Sequence, residues 1–115
     1  MTATTFNLEA VQDAINEAGI QARTAAKEAL QKYGDRDACG FAWVNVYKVR
    51  SNSKLGKALQ AAGFSKSYTG ALQLWNPSKM GVQSIGILEA GAEAYANVLR
   101  EKLGLTDCYA GSRMD

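Results

Sequence analysis

Cys39-Gly-Phe-Ala-Trp-Val-Asn-Val-Tyr-Lys-Val49 alternates two kinds of side chain. Gly40, Ala42, Val44 and Val46 are small and aliphatic, whereas Phe41, Trp43, Asn45 and Tyr47 are large, mostly aromatic and partly polar. Period-two alternation in a β-branched, aromatic run predicts a strand, because successive side chains point to opposite faces of a sheet. The aliphatic face suits packing beneath helices. The aromatic face is core, interface or binding surface, and the residues alone leave those three open.

Upstream, Leu8, Val11, Ile15, Ala18, Ala22, Ala26, Ala29 or Leu30, and Tyr33 recur at three-four spacing and predict a long amphipathic helix. Asn7 is its N-cap and Gly34 its stop, and the alanine stripe permits close approach of a sheet or a second helix. Asp35, Arg36 and Asp37 form a polar turn before the strand. Downstream, Asn52 or Ser53 caps a short helix carrying Leu55, Ala58, Leu59 and Ala62, which Gly63 ends. A basic-polar stretch, Ser65 to Gly70, precedes a second strand, Ala71 to Trp75, which repeats the first strand's pattern with Leu72 and Leu74 on one face and Gln73 and Trp75 on the other. Asn76, Pro77 and Ser78 turn the chain, and Met80 to Ser84 is a loop or short edge strand. A last helix carries Leu88, Ala92, Tyr95, Val98 or Leu99, and Leu103 on one side and is stopped by Gly104; Asp107 to Arg113 is a final strand or extended tail. The expectation is an α+β fold in the order α-β-α-β-α-β. It is a two-layer sandwich with helices on one face of a sheet of three to four strands.

At 115 residues the chain is one domain, with residues 1 to 6 as a loose tail. Thirteen basic and eleven acidic side chains leave a net charge of +2, so charge alone names no partner. The chain has no histidine, which excludes Ser-His and Cys-His mechanisms and the commonest metal ligand. No glycine-rich phosphate cradle is present, and Glu89 with Glu93 reads as a solvated helix face. The Ser53-Lys54 and Ser78-Lys79 pairs are adjacent in sequence and poorly placed to exchange a proton on one face. These features describe a protein that is not an enzyme and uses no cofactor or metal. No apolar run approaches transmembrane length and no signal-peptide pattern opens the chain, so a cytoplasmic protein without a membrane partner is expected, its Cys39 and Cys108 reduced.

The groups that do suggest binding are polar and aromatic: Trp43, Asn45 and Tyr47 on one strand, Gln73 and Trp75 on the next. Arg50, Ser51 and Lys54, and also Asn76 and Lys79, follow the strand ends, and Arg113 lies near the C-terminus. An indole stacks on a base, amides read its edge, and a hydroxyl with Arg or Lys meets phosphate oxygens. The plainer reading is that the two indoles pack on each other or under a helix and that Asn45 and Gln73 are satisfied by the backbone.

Cys39-Gly-Phe-Ala-Trp-Val44, Leu74-Trp-Asn-Pro77 and Tyr109-Ala-Gly-Ser-Arg113, in that order, resemble segments of small accessory proteins encoded by tailed bacteriophages. The resemblance spans roughly Asp37 to Asp115 and carries no activity or site residue across. It implies a setting, the host bacterial cytoplasm, where proteins of this size often neutralise a host system. The leading expectation is a homo-oligomeric, non-catalytic protein that sequesters a nucleotide-like ligand, in counter-defence. The alternatives are an inhibitor that covers a host enzyme, and a weak single-stranded nucleic-acid binder using Lys48, Arg50, Lys54, Lys57 and Lys66.

Overall fold

The computed structural model describes residues 7–35, 38–67, 69–82 and 84–114. The expected N-terminal tail, Arg36 and Asp37 of the polar turn, and Tyr68 fall outside them. The chain runs α1 (Leu8–Tyr33), β1 (Gly40–Val46), α2 (Lys54–Ala61), β2 (Ser65–Lys66), β3 (Leu72–Trp75), α3 (Ile85–Leu103) and β4 (Cys108–Met114). The strands form one antiparallel sheet in the order β2-β3-β1-β4. From β1 onward this is the split βαβ connectivity, β-α-β-β-α-β, preceded by a helix.

The expected α-β-α-β-α-β order is therefore corrected by one element. Ser65–Lys66 pairs with Gln73 and Leu72 and adds a strand that two polar residues do not announce. The first strand is also shorter than the alternation suggests. It stops at Val46 because Lys48 takes a left-handed φ of 61°, which takes the chain out of the ladder.

Caps behave as their chemistry requires. Asn7 Oδ1 accepts from the Glu9 amide, and Ser53 Oγ accepts from Gly56 N at the start of α2. Gly34 and Gly104 end α1 and α3 at φ of 72° and 66°.

The core lies on the aliphatic side of the sheet. Ala42, Val44, Val46, Leu72, Leu74 and Cys108 meet Leu55, Leu59, Phe64, Tyr95, Leu99 and Leu103 there. Helix α3 packs across β1 and β4, whereas α1 lies chiefly along α3. The alanines explain that contact: Ala14, Ala18, Ala22 and Ala26 are buried, and Gly91 of α3 comes so close that an added Cβ would lie 3.3 Å from the Ala22 carbonyl oxygen. Small residues let two helix backbones approach at the cost of apolar area per residue. Leu8 and Tyr33, expected on the buried stripe, are exposed, because a helix of 26 residues overhangs a partner of 19. Among the described residues no helix is long and apolar enough to cross a membrane.

Candidate functional site

The helices pack on the aliphatic side, and among the described residues no helix covers the opposite face of the sheet. Register decides what lies on it. In one cross-strand row Trp75, Trp43 and Gly111 stand side by side on β3, β1 and β4; the next holds Gln73, Asn45 and Tyr109, with Ser65 of β2 beside Gln73. Phe41 sits opposite Arg113, and Tyr47 follows β1 at the other end. Phe41, Tyr47, Trp75 and Tyr109 are all among the exposed large apolar residues, Trp75 at 46%.

The indoles of Trp43 and Trp75 stack with centroids 4.6 Å apart and planes inclined by 28°. Phe41 meets Trp75 edge-on at 6.0 Å, and the Arg113 guanidinium lies 5.8 Å from the Phe41 ring centre. Trp43 leans over Gly111, where a Cβ would come within 2.6 Å of its Nε1, and that N–H is buried with no hydrogen-bond acceptor. A glycine beside a bulky cross-strand neighbour lets the ring lie flat on the sheet.

Beside the rings runs a chain of polar groups. Trp75 Nε1 donates to Gln73 Oε1 at 3.3 Å, and Gln73 Nε2 donates to Asn45 Oδ1 at 2.8 Å. Indole stacks on indole as the plainer reading expected, but the two amides bond to each other rather than to the backbone, and Trp75 is exposed. The chain ends at the Asn45 side-chain amide, whose N–H groups are open to an acceptor from outside the protein.

The remaining expected residues divide between the two ends of the sheet. Arg50 and Ser51 line a cavity of about 600 Å³ with Val49, Asn52, Lys66, Ser67, Gly70 and Leu72; Lys66 pairs with core Leu72, so this cavity borders the helix-bearing side of the sheet and takes in no residue of the aromatic face. Lys54 opens α2 and is not among the lining residues. At the opposite end Asn76 holds its own turn, donating from Nδ2 to the Met80 carbonyl at 3.1 Å while Oδ1 accepts from Ser78 Oγ. Lys79 lines a separate cavity on the helical side with Ile15, Arg23 and Tyr95, so it is not part of the aromatic face. Ser53 donates its hydroxyl proton to the Arg50 carbonyl, which commits it to the loop. Phe41 and Tyr109 belong to the face although they were not among the expected site residues. Phe41 shares the alternation of Trp43, whereas Tyr109 is placed only by the register of β4.

Among the described residues no group of three His, Cys, Asp or Glu is assembled for a metal ion. The perturbed titrating groups lie in the core, away from this face. Burial pushes the Cys108 thiol up to about 11, against a smaller opposing effect of Arg100, and burial followed by Cys108 pushes Tyr95 up to about 12. Both stay protonated in the folded protein above the pH at which the unfolded chain releases its protons, near 9.0 and 10.0. The unfolded state then binds fewer protons, so stability declines as pH rises from about 9 to 12 and these two groups leave it level below 9. Melting temperatures recorded at pH 7, 9 and 11 check this; a value at pH 11 equal to that at pH 9 contradicts it.

No family model, curated protein or solved structure matches the chain.

Proposed function

We propose that this chain is a non-catalytic binding protein that holds the planar base of a nucleotide-like ligand on the uncovered face of its sheet. The observation that carries the reading is the Trp43–Trp75 stack beside the Gln73–Asn45 amide pair, outward-facing on the two central strands. An exposed indole supplies a stacking surface worth about 1–3 kcal/mol per base. The open amide supplies a donor at the base edge, and Arg113 a cation at the rim. Open four-stranded sheets with aromatic rings on central strands bind bases in this way in RNA-recognition modules. The phage segments support a setting in the host bacterial cytoplasm, where sequestering such a ligand counters a host defence. Self-association is part of the proposal: β4 is a seven-residue outer edge without proline or lysine, and such edges pair with other strands.

The test is a titration of the protein with adenosine monophosphate, read by tryptophan fluorescence. Stacking quenches the signal, and Trp75→Ala weakens binding by about 5- to 150-fold, the range corresponding to the loss of one stacked base. Trp75→Ala gives up its stack on Trp43 and lowers the melting temperature by several degrees while the protein stays folded at 25 °C, where the titration is read. Absence of quenching at millimolar nucleotide, or equal binding by the folded variant, overturns the reading. The rival reading, a host protein covering the same aromatic face, then takes its place.

A further inference from the structure

The outer edge of the sheet belongs to β4, and parity along the ladder fixes which of its backbone groups face outward. Tyr47 N donates to the Asp107 carbonyl at 2.8 Å, and Asn76 N donates to the Ala42 carbonyl at 2.9 Å. In an antiparallel pair alternate residues bond to the partner, so β1 meets β4 through its odd-numbered residues and β3 through its even-numbered ones. The amides and carbonyls of Tyr109, Gly111 and Arg113 therefore turn toward β1. Those of Cys108, Ala110, Ser112 and Met114 turn outward, where no described strand pairs with them.

Charge marks the two ends of this edge with opposite signs on both faces of the sheet. On the helical side Arg100 Nη1 donates to the Cys108 carbonyl at 2.5 Å, and Ser112 Oγ donates to the Glu89 carboxylate. On the aromatic side Asp107 continues the ladder just before Cys108, and Arg113 stands at the other end beside Phe41. A two-fold axis normal to the sheet exchanges the ends, so a second copy running antiparallel meets each charge with its opposite. The same charges choose the register. With the axis at Ala110, Arg113 lies opposite the partner's Asp107. Ser112, which holds Glu89, then lies opposite the partner's Cys108, which holds Arg100. An axis at Ser112 brings the two copies of Glu89 together, one at Gly111 moves Arg113 away from the carboxylate, and one at Tyr109 carries Ser112 past the start of the partner strand. The Cys108 carbonyl, with two lone pairs, accepts the partner's Ser112 amide beside Arg100.

This register also reaches the aromatic face. Tyr109 of the partner subunit falls opposite Gly111, which has no side chain in the row of Trp75 and Trp43. An aromatic ring across from a strand glycine is a favourable pair, and here it comes against the indole that leans over Gly111.

We infer that the partner of the β4 edge is a second copy of this chain, joined antiparallel about Ala110 into one continuous sheet, and that each copy lends Tyr109 to the aromatic row of the other. The inference rests on the self-association proposed above and gives it a register and a contributed residue.

Sedimentation equilibrium of the chain without ligand, from micromolar to millimolar concentration, reads the association, and a dimer is expected. Arg113→Asp sets carboxylate against carboxylate at both ends of the joint and weakens dimerisation by about 10-fold, because the axis doubles the change. Adding Asp107→Arg restores it. Glu89→Arg and its rescue by Arg100→Glu read the same register from the helical side if the first pair does not fold. Ser112→Pro removes an outward amide, leaves the odd-numbered ladder to β1 intact, and gives a folded monomer by circular dichroism. The Trp43 indole signal in nitrogen-15 spectra moves with concentration in the parent and stays fixed in Ser112→Pro. A monomeric parent at millimolar concentration, or a dimer that persists in Ser112→Pro, overturns the edge pairing. Failure of both charge exchanges to rescue overturns the register, and an unmoved Trp43 signal overturns the placing of Tyr109. Quenching by adenosine monophosphate in a monomeric parent leaves base stacking in place, whereas a dimer without quenching overturns base stacking alone.

Discussion

Gly56→Ala lowers the stability of the protein by about 3 kcal/mol, a fall of roughly 10 °C in melting temperature. Helix propensity alone gives the opposite sign, since alanine inside a helix is favoured over glycine by about 1 kcal/mol. The surroundings reverse it. A Cβ at position 56 would lie 2.0 Å from the Arg50 carbonyl oxygen, 2.9 Å from its carbon and 3.0 Å from Ser51 Cα, all of them backbone atoms. The loop has little room to retreat. The Arg50 carbonyl accepts from Ser53 Oγ at 2.7 Å, and Gln60 Nε2 donates to the Ser51 carbonyl at 2.6 Å, fastening the loop to α2 at both points. Urea unfolding of parent and variant checks it; a midpoint equal to or above the parent's shows that the loop does not close on α2 as described.

Gly111→Val is the second large effect, and again local preference points the wrong way. Valine is favoured over glycine in a strand. At position 111, however, any Cβ falls 2.6 to 3.0 Å from Nε1, Cε2 and Cζ2 of Trp43. The indole cannot swing aside freely because Trp75 is stacked on it with centroids 4.6 Å apart. Relief therefore breaks the stack, at a cost of about 1–3 kcal/mol. Circular dichroism reads the geometry directly: the signal of two coupled indoles present in the parent disappears in Gly111→Val and also in Trp75→Ala. A variant that retains both the coupled signal and the parent's melting temperature contradicts the placement of Trp43 over Gly111.

These two glycines show where sequence reading reaches its limit. The alternation from Gly40 to Tyr47 is enough to place a strand with one aliphatic and one aromatic face, and Asn7, Gly34, Ser53 and Gly104 mark helix ends through chemistry confined to a few residues. Neither Gly56 nor Gly111 carries such a local sign, because the atom each must avoid belongs to another segment. Ser65–Lys66 becomes a strand only because β3 offers it a partner, and two polar residues have no period to read. The alanine stripe of α1 indicates close packing without indicating against what, and α3 is chosen by Gly91 and the whole tertiary arrangement.

The site divides along the same line. Trp43, Asn45, Gln73 and Trp75 are legible as sharing one face of two similar strands, but that the face is exposed and that they assemble into adjacent rows depends on where the helices pack and on the pairing of Trp43 with Trp75. Tyr109 and Arg113 reach the face through the register of β4 on β1. Proximity to a strand end in sequence is a poorer guide: it groups Lys79 with the site, although the turn at Asn76 and Lys79, both at positive φ, directs that lysine to the helical side.

The central claim is that the uncovered sheet face receives a nucleic-acid base. Its most direct measurement is a backbone and indole amide map by nitrogen-15 correlation spectra during titration with adenosine monophosphate. The account predicts shifts at Phe41, Trp43, Asn45, Gln73, Trp75, Tyr109 and Arg113, with the exposed side of α1 unmoved. Shifts concentrated on α1 and α3, or none at millimolar nucleotide, contradict it.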